Sequence, residues 1–221
     1  MKKRVGVVLS GCGFLDGAEI HESVLTLLHL DRAGAEVVCF APDREQLHVV
    51  DHRTGQPAAG ESRNVLTESA RIARGKIADL AAADAEQLDA VVLPGGFGAA
   101  KNLSDFASAG ADATVDPDLR RLLLAMHAGG KPIGVVCIAP AVCAAAFRDT
   151  DSHPALTVGE DPGTAAAIEA TGSRHENRPV TEICVDEDQR VVSTPAYMFD
   201  ARIADVSTGI EQLVQKVLSL A

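Results

Sequence analysis

The residues best placed to do chemistry lie in Lys131-Pro132-Ile133-Gly134-Val135-Val136-Cys137-Ile138-Ala139-Pro140. Gly129-Gly130 closes what precedes, a short run of β-formers leads into Cys137, and an alanine-rich stretch follows from Ala139 to Phe147. The pattern predicts a strand, a sharp turn and a helix with a thiol at the turn, the arrangement of a nucleophile elbow. A helix beginning just past Cys137 favours a thiolate, so the thiol is expected to have a lowered pKa. Pro140 suits the first helical turn, where a missing N–H has no intrahelical partner to lose. The same Val135-Val136-Cys137 run also accommodates cysteine as buried filler, since cysteine is among the residue types most often buried.

Partners for a thiol come from three other segments. Glu19-Ile20-His21-Glu22 opens a helix. Glu19 complements the helix dipole. Glu22, one turn in, can face the strand ends and exchange a proton with a thiol if burial raises its pKa. Pro94-Gly95-Gly96 has the backbone freedom to aim N–H groups at an oxyanion, with the N–H of Ile138 as partner, or is simply a loop. Thr194-Pro195-Ala196-Tyr197-Met198, at another strand end, is a candidate pocket wall, with Tyr197 equally readable as packing. His153 and His175 follow the elbow as candidates for a third residue, although neither spacing identifies a base. His21, His29, His48, His52 and His127 read as surface or helix-face residues.

These residues need a scaffold, and its elements are readable. Val5 to Leu9 is a strand buried on both faces, Ala18 to Arg32 a helix, and Glu36 to Ala41 a second buried strand. That unit opens a doubly wound α/β domain. A small hairpin from His48 to Pro57 and helices over Asn64–Gly75 and Ala81–Leu88 follow, then a strand from Asp89 to Leu93. Helices are expected over Asp118–Ala128, begun by Pro117, and over Asp161–Ala170. Val180–Val185 pairs with Arg190–Ser193 as an antiparallel hairpin, and Asp200–Leu220 closes the chain as a helix. Ser10 to Gly13, Pro94 to Gly96 and Cys137 then fall at one edge of one sheet, where such folds bind ligands. Gly11 to Gly17 misses a dinucleotide fingerprint by one residue, because Asp16 stands where the third glycine is needed. Asp43 would be the ribose acid in that reading, while tight-turn glycines suffice without it. With no repeats or linkers, residues 1–221 read as one domain.

Composition narrows the partners. A formal charge of −11 argues against nucleic acid and anionic membranes. No apolar run reaches the length of a membrane span. Five scattered cysteines without a Cys-x-x-Cys indicate neither a disulfide framework nor a zinc site. Cys39, Cys143 and Cys184 read as core residues. The basic Met1-Lys2-Lys3-Arg4 start is followed by too short an apolar run for a signal peptide, so a cytoplasmic location is expected.

Taken together, four segments resemble the ThiJ/PfpI superfamily of class I glutamine-amidotransferase-like proteins. They are Ser10-Gly11-Cys12-Gly13 with Gly17 to Glu22, Leu93 to Leu103, Cys137-Ile138-Ala139-Pro140 and Thr194 to Met198. Within the superfamily the chain is most similar to the ElbB group, described as isoprenoid-biosynthesis-associated and as a glyoxalase. The resemblance implies a flavodoxin-like, mostly parallel sheet with helices on both faces and small hairpins. It implies Cys137 as nucleophile, Glu22 hydrogen-bonded to it, and Gly96 and Ile138 as oxyanion donors. It further implies no cofactor or metal, a homodimer, and a lyase of the glyoxalase III type acting on a small 2-oxoaldehyde such as glyoxal or methylglyoxal. PfpI-type peptidases carry histidine right after the nucleophile, where this chain has Ile138. The late His-x-Glu of amidotransferases is not matched by His175-Glu176. Peptidase and glutaminase activities are therefore not expected. A redox sensor that oxidises Cys137, or an amidotransferase-like subunit linked to isoprenoid biosynthesis, stands as the alternative.

Overall fold

The computed structural model describes residues 2–221; Met1 of the basic start lies outside the described residues. The chain opens with β1 (Arg4–Val8), α1 (Ile20–Arg32) and β2 (Glu36–Ala41). A hairpin of β3 (Val50–Asp51) and β4 (Gln56–Pro57) precedes α2 (Val65–Ile72) and β5 (Ile77–Asp79). Next come β6 (Ala90–Leu93), α3 (Phe97–Asn102), α4 (Phe106–Ala109) and α5 (Pro117–Ala128). β7 (Ile133–Val136) and α6 (Ala139–Phe147) form the elbow pair, followed by β8 (Ala155–Leu156), α7 (Pro162–Ala170) and β9 (Arg174–His175). β10 (Cys184–Asp186), β11 (Val191–Thr194) and α8 (Ile203–Leu220) complete the chain.

Seven strands make one sheet in the order β10-β11-β7-β6-β1-β2-β5. Every pairing is parallel except that of β10 with β11. Val5 sits opposite Val37 on one side and Ala90 on the other, and Val91 opposite Ile133. Side chains alternate across this sheet. Val5, Val7, Leu9, Val92 and Val136 join Leu30 of α1 and Leu213 and Val217 of α8 in one core. Val8, Val91, Leu93, Ile133 and Val135 join Leu122 and Met126 of α5 and Val142 and Phe147 of α6 in the other. With both faces covered, the strands read as unbroken apolar runs instead of alternating ones.

The expected flavodoxin-like α/β architecture is the one observed, with local corrections. Helix α1 starts at Ile20, not Ala18, because Glu19 is its cap and accepts a hydrogen bond from Glu22 N. Ala81–Leu88 is not a helix despite its alanines. Asp79 and Asp84 each accept a bond from a backbone N–H two residues on, which splits the stretch into 3-10 turns at Leu80–Ala82 and Ala85–Gln87. β5, only three residues long, escapes any periodicity argument yet forms the sheet edge beside β2. β8 and β9 pair as a separate two-stranded parallel ribbon that the sequence reading did not contain.

The sheet's winding reverses at β1, which has β2 on one side and β6 on the other. Such a reversal opens a crevice at the carboxyl ends of the strands. The loops leaving β1 and β6 and the turn after β7 all meet there.

Candidate active site

Cys137 follows β7 directly and has a φ of 62°. That left-handed conformation is uncommon for a side chain with a Cβ, and it turns the residue out of the sheet before α6 begins. Its own N–H stays tied to Thr194 O of β11 at 2.9 Å, so the elbow is braced by the next strand. The side chain is 7% exposed. Its Sγ faces the backbone N–H groups of Gly96 and Ile138 and the carboxyl group of Glu22. Gly96 and Ile138 are the N-cap residues of α3 and α6, and no side chain caps either helix start. Both N–H groups stand at helix starts, where no intrahelical acceptor is available, and are directed at the sulfur.

Glu22 is fully buried in the first turn of α1. Its Oε2 accepts from Gly95 N at 3.0 Å and its Oε1 from Tyr197 N at 3.2 Å. Burial pushes its pKa up to about 8, helped by the charge of Glu19 and opposed by the two N–H donors and Cys137. The carboxyl group therefore holds a proton at neutral pH.

The thiol departs from expectation. Burial, and then the charge of Glu22, push the Cys137 pKa well above its ordinary value, and the N–H groups of Gly96 and Ile138 offset only part of that. The start of α6 does act on the sulfur as expected, but the loss of water outweighs it. Thiol and carboxyl titrate as a pair, in which a single negative charge is the most the site readily holds.

Close approach makes Gly95 irreplaceable here. A Cβ on it would stand 2.5 Å from Cys137 Cβ and 2.9 Å from Glu22 Oε2. Gly95→Ala is expected to lower unfolding free energy by about 2–3 kcal/mol, as overpacking of a rigid site does. Urea denaturation measures it, and a change below about 0.5 kcal/mol would contradict this packing.

A cavity of about 340 Å³ opens over the sulfur. Phe14, Phe97, Ile138, Tyr197 and Met198 supply its apolar walls, and Glu19, Asp161 and Thr164 its polar ones. A comparable depression between Arg44, Lys101 and Asp116 does not include the thiol among its walls.

Of the residues expected at the site, Cys137, Glu22, Gly96 and Ile138 are brought together. The histidines are not. His153 lies against Gly172, and His175 Nε2 accepts from Val158 N at 3.2 Å in the β8–β9 ribbon. Neither lines the cavity. His29, expected as a surface or helix-face residue, lies on α1 and is buried against Ser207 at 3.0 Å. The first loop is filled by its own chain: Asp16 is buried and accepts from Val50 N at 2.7 Å, and Asn102 donates to Ser10 O and Asp16 O. Asp43 is engaged with Asn64 at 2.7 Å. The glycines there serve packing and not a pyrophosphate. Among the described residues, no three His, Cys, Asp or Glu side chains gather as a metal site, and no helix is long and apolar enough to cross a membrane.

Sequence reasoning missed the N–H donors of Gly95 and Tyr197 to Glu22, and the wall residues Phe14, Phe97, Asp161 and Thr164. Asp161 was legible only as the cap of α7, a role it has through Thr164 N at 2.7 Å. Nothing local announces that the start of α7 borders the cavity.

Scanned against family models, the chain matches none. A human protein, glutamine amidotransferase-like class 1 domain-containing protein 3, mitochondrial, is 52% identical over 98% of this chain and 83% of its own length. The chain belongs to the glutamine amidotransferase-like class 1 family. A rat member, ES1 protein homolog, mitochondrial, is 49% identical over 99% of this chain and 84% of its own length. The solved structure of an isoprenoid biosynthesis protein with an amidotransferase-like domain from Ehrlichia chaffeensis is 36% identical. It superposes with a TM-score of 0.92 over 99% of this chain and 100% of that one. DJ-1β of Drosophila melanogaster, at 20% identity and a TM-score of 0.53, covers 100% of this chain with 96% of its own and shares the fold. The resemblance to class I glutamine-amidotransferase-like proteins is thereby borne out. The cytoplasmic location is not: the human and rat family members are both named mitochondrial proteins. An address is carried by short segments read by receptors, so the composition of a folded domain does not reveal it.

Proposed function

We propose that this family member is a cofactor-independent glyoxalase that converts glyoxal or methylglyoxal into the 2-hydroxy acid. The observation that carries the reading is a fully buried Glu22 carboxyl group facing Cys137 at a left-handed elbow, with the backbone N–H groups of Gly96 and Ile138 beside the sulfur. The pair loses its first proton from Glu22, and the reactive form is the tautomer in which that carboxylate has taken the thiol proton, a thiolate beside a carboxylic acid.

The thiolate adds to the aldehyde carbon. A C–S bond forms, the C=O π bond breaks, and the oxygen takes the Glu22 proton, giving a hemithioacetal. Gly96 N–H and Ile138 N–H are the donors to the developing oxyanion. Glu22, now a carboxylate, removes the hydrogen of that carbon to give an enediolate; the hydroxyl proton passes to the neighbouring oxygen, Glu22 returns its proton to the neighbouring carbon, and a thioester is left. Water attacks the thioester and gives a proton to the Glu22 carboxylate, the C–S bond breaks, and the thiolate and the hydroxy acid are released. One carbon is oxidised and its neighbour reduced within the same substrate, so no outside oxidant enters.

Incubating purified protein with glyoxal or methylglyoxal, without added thiol or cofactor, should yield glycolate or lactate. Because the pair must lose one proton, kcat/KM should rise with pH toward a plateau with an apparent pKa near 8. Hydroxy acid no faster than in a protein-free control would remove the proposal.

A further inference from the structure

We infer that the cavity is built for an uncharged 2-oxoaldehyde with a bulky, planar apolar substituent, in preference to methylglyoxal and to any anionic analogue. This rests on the glyoxalase reading and adds the substrate class to it. Three observations converge.

The first is size. The cavity measures about 340 Å³. Glyoxal has four heavy atoms and fills roughly the space of two or three waters, whereas a void of about 150 Å³ already holds benzene. Most of the space above Cys137 would stay empty of a two- or three-carbon substrate.

The second is the wall. Phe14 and Phe97 are 46% and 48% exposed, unusual for rings beside a reactive group. Both are nevertheless held in place. Phe97 N donates to Phe14 O at 2.7 Å, the Phe14 ring meets His52 edge-on at 5.4 Å, and Lys101 Nζ lies 5.2 Å from the Phe97 centroid. Rings that are held by neighbours yet stay half-exposed on a cavity wall offer apolar surface to another flat apolar group. Met198 and Tyr197 also line it, and a thioether adapts to such a guest.

The third is charge. Apart from Cys137, the ionisable side chains on the wall are Glu19, Asp161 and the phenol of Tyr197; no Lys or Arg lines it. Hydrogen bonds from Thr164 hold Asp161 below the usual carboxylate range, so it stays ionised. Lys101, the cation beside Phe97, is engaged with Leu15 O at 2.8 Å and is not part of the wall. An adjoining depression shares Phe14, Glu19, Tyr197 and Met198 and adds His21, Phe199 and Asp200. In the cavity over Cys137 the only charged side chains a substrate carboxylate or phosphate would meet are the like-charged Glu19 and Asp161.

Initial rates on the full chain with methylglyoxal, phenylglyoxal and 4-carboxyphenylglyoxal test this. Phenylglyoxal should exceed methylglyoxal in kcat/KM at least about tenfold, and the carboxylated analogue should fall below phenylglyoxal by a similar factor. Phe14→Ala should reduce the phenylglyoxal-to-methylglyoxal ratio about tenfold. Asp161→Asn, which keeps a good helix cap, should narrow the penalty on the carboxylated analogue several-fold, with a thermal melt confirming the fold. Equal or faster turnover of methylglyoxal, or a ratio unmoved by Phe14→Ala, overturns the inference and leaves the glyoxalase reading standing. Loss of all three activities in the wild-type protein overturns both.

Discussion

Cys137→Ala lowers kcat/KM for glyoxal by at least about 10³-fold, the expected result when the sole nucleophile of a covalent mechanism is removed. The substitution deletes one sulfur from the floor of an open cavity and leaves the backbone unchanged. Its effect on stability is therefore small, about 1 kcal/mol, and does not explain lost activity. Rates and thermal melts on the same preparation separate the two. Turnover within a few-fold of wild type would assign the chemistry to another group.

Glu22→Gln is expected to lower activity and to change stability in a way that depends on pH. Losing the group that moves the proton lowers kcat by about 10²–10⁴-fold. The stability effect depends on pH, and its sign follows from the raised pKa. Glu22 titrates near 8 in the fold and near 4.5 in the unfolded chain. Between those values the folded state binds more protons, so the wild-type protein loses stability as pH rises from about 4.5 through about 8. The full loss amounts to roughly 4–5 kcal/mol. Glutamine carries no charge at any pH and escapes it. At pH 5 the variant is the less stable protein, because its amide NH₂ replaces one of the two oxygens that accept from Gly95 N and Tyr197 N. By pH 9 the difference shrinks or reverses. Guanidinium unfolding at both values measures it, and a variant-to-wild-type difference independent of pH would mean that Glu22 is ionised throughout.

The elbow was legible because its signals are local. Paired glycines, a run of β-formers and a proline in the first turn of an alanine-rich segment constrain only their near neighbours, and β7 and α6 lie where those signals put them. The buried strands were equally plain, since a parallel sheet covered on both faces demands unbroken apolar runs. Asp161 as the cap of α7 and Pro117 at the start of α5 needed nothing from elsewhere in the chain. Where local signals conflicted, as in the alanines between Asp79 and Leu88, two side-chain caps outweighed helix propensity.

What depended on distant partners could not be read. Glu22 was a plausible acid in the sequence, but its charge state is set by donors 73 and 175 residues away, and by burial that no local pattern measures. Tyr197 N–H reaches it beside Ala196, whose φ of 43° has no signature in Thr-Pro-Ala-Tyr-Met. The thiol's pKa is the sharpest example. A helix start in sequence argues for lowering it, whereas in space the exclusion of water and a neighbouring carboxyl group raise it. The sequence by itself determined which residues stand at the strand ends. Only tertiary packing decided how much water they keep and whose hydrogen bonds they share, because desolvation and long-range contacts belong to the assembled crevice and not to any one segment.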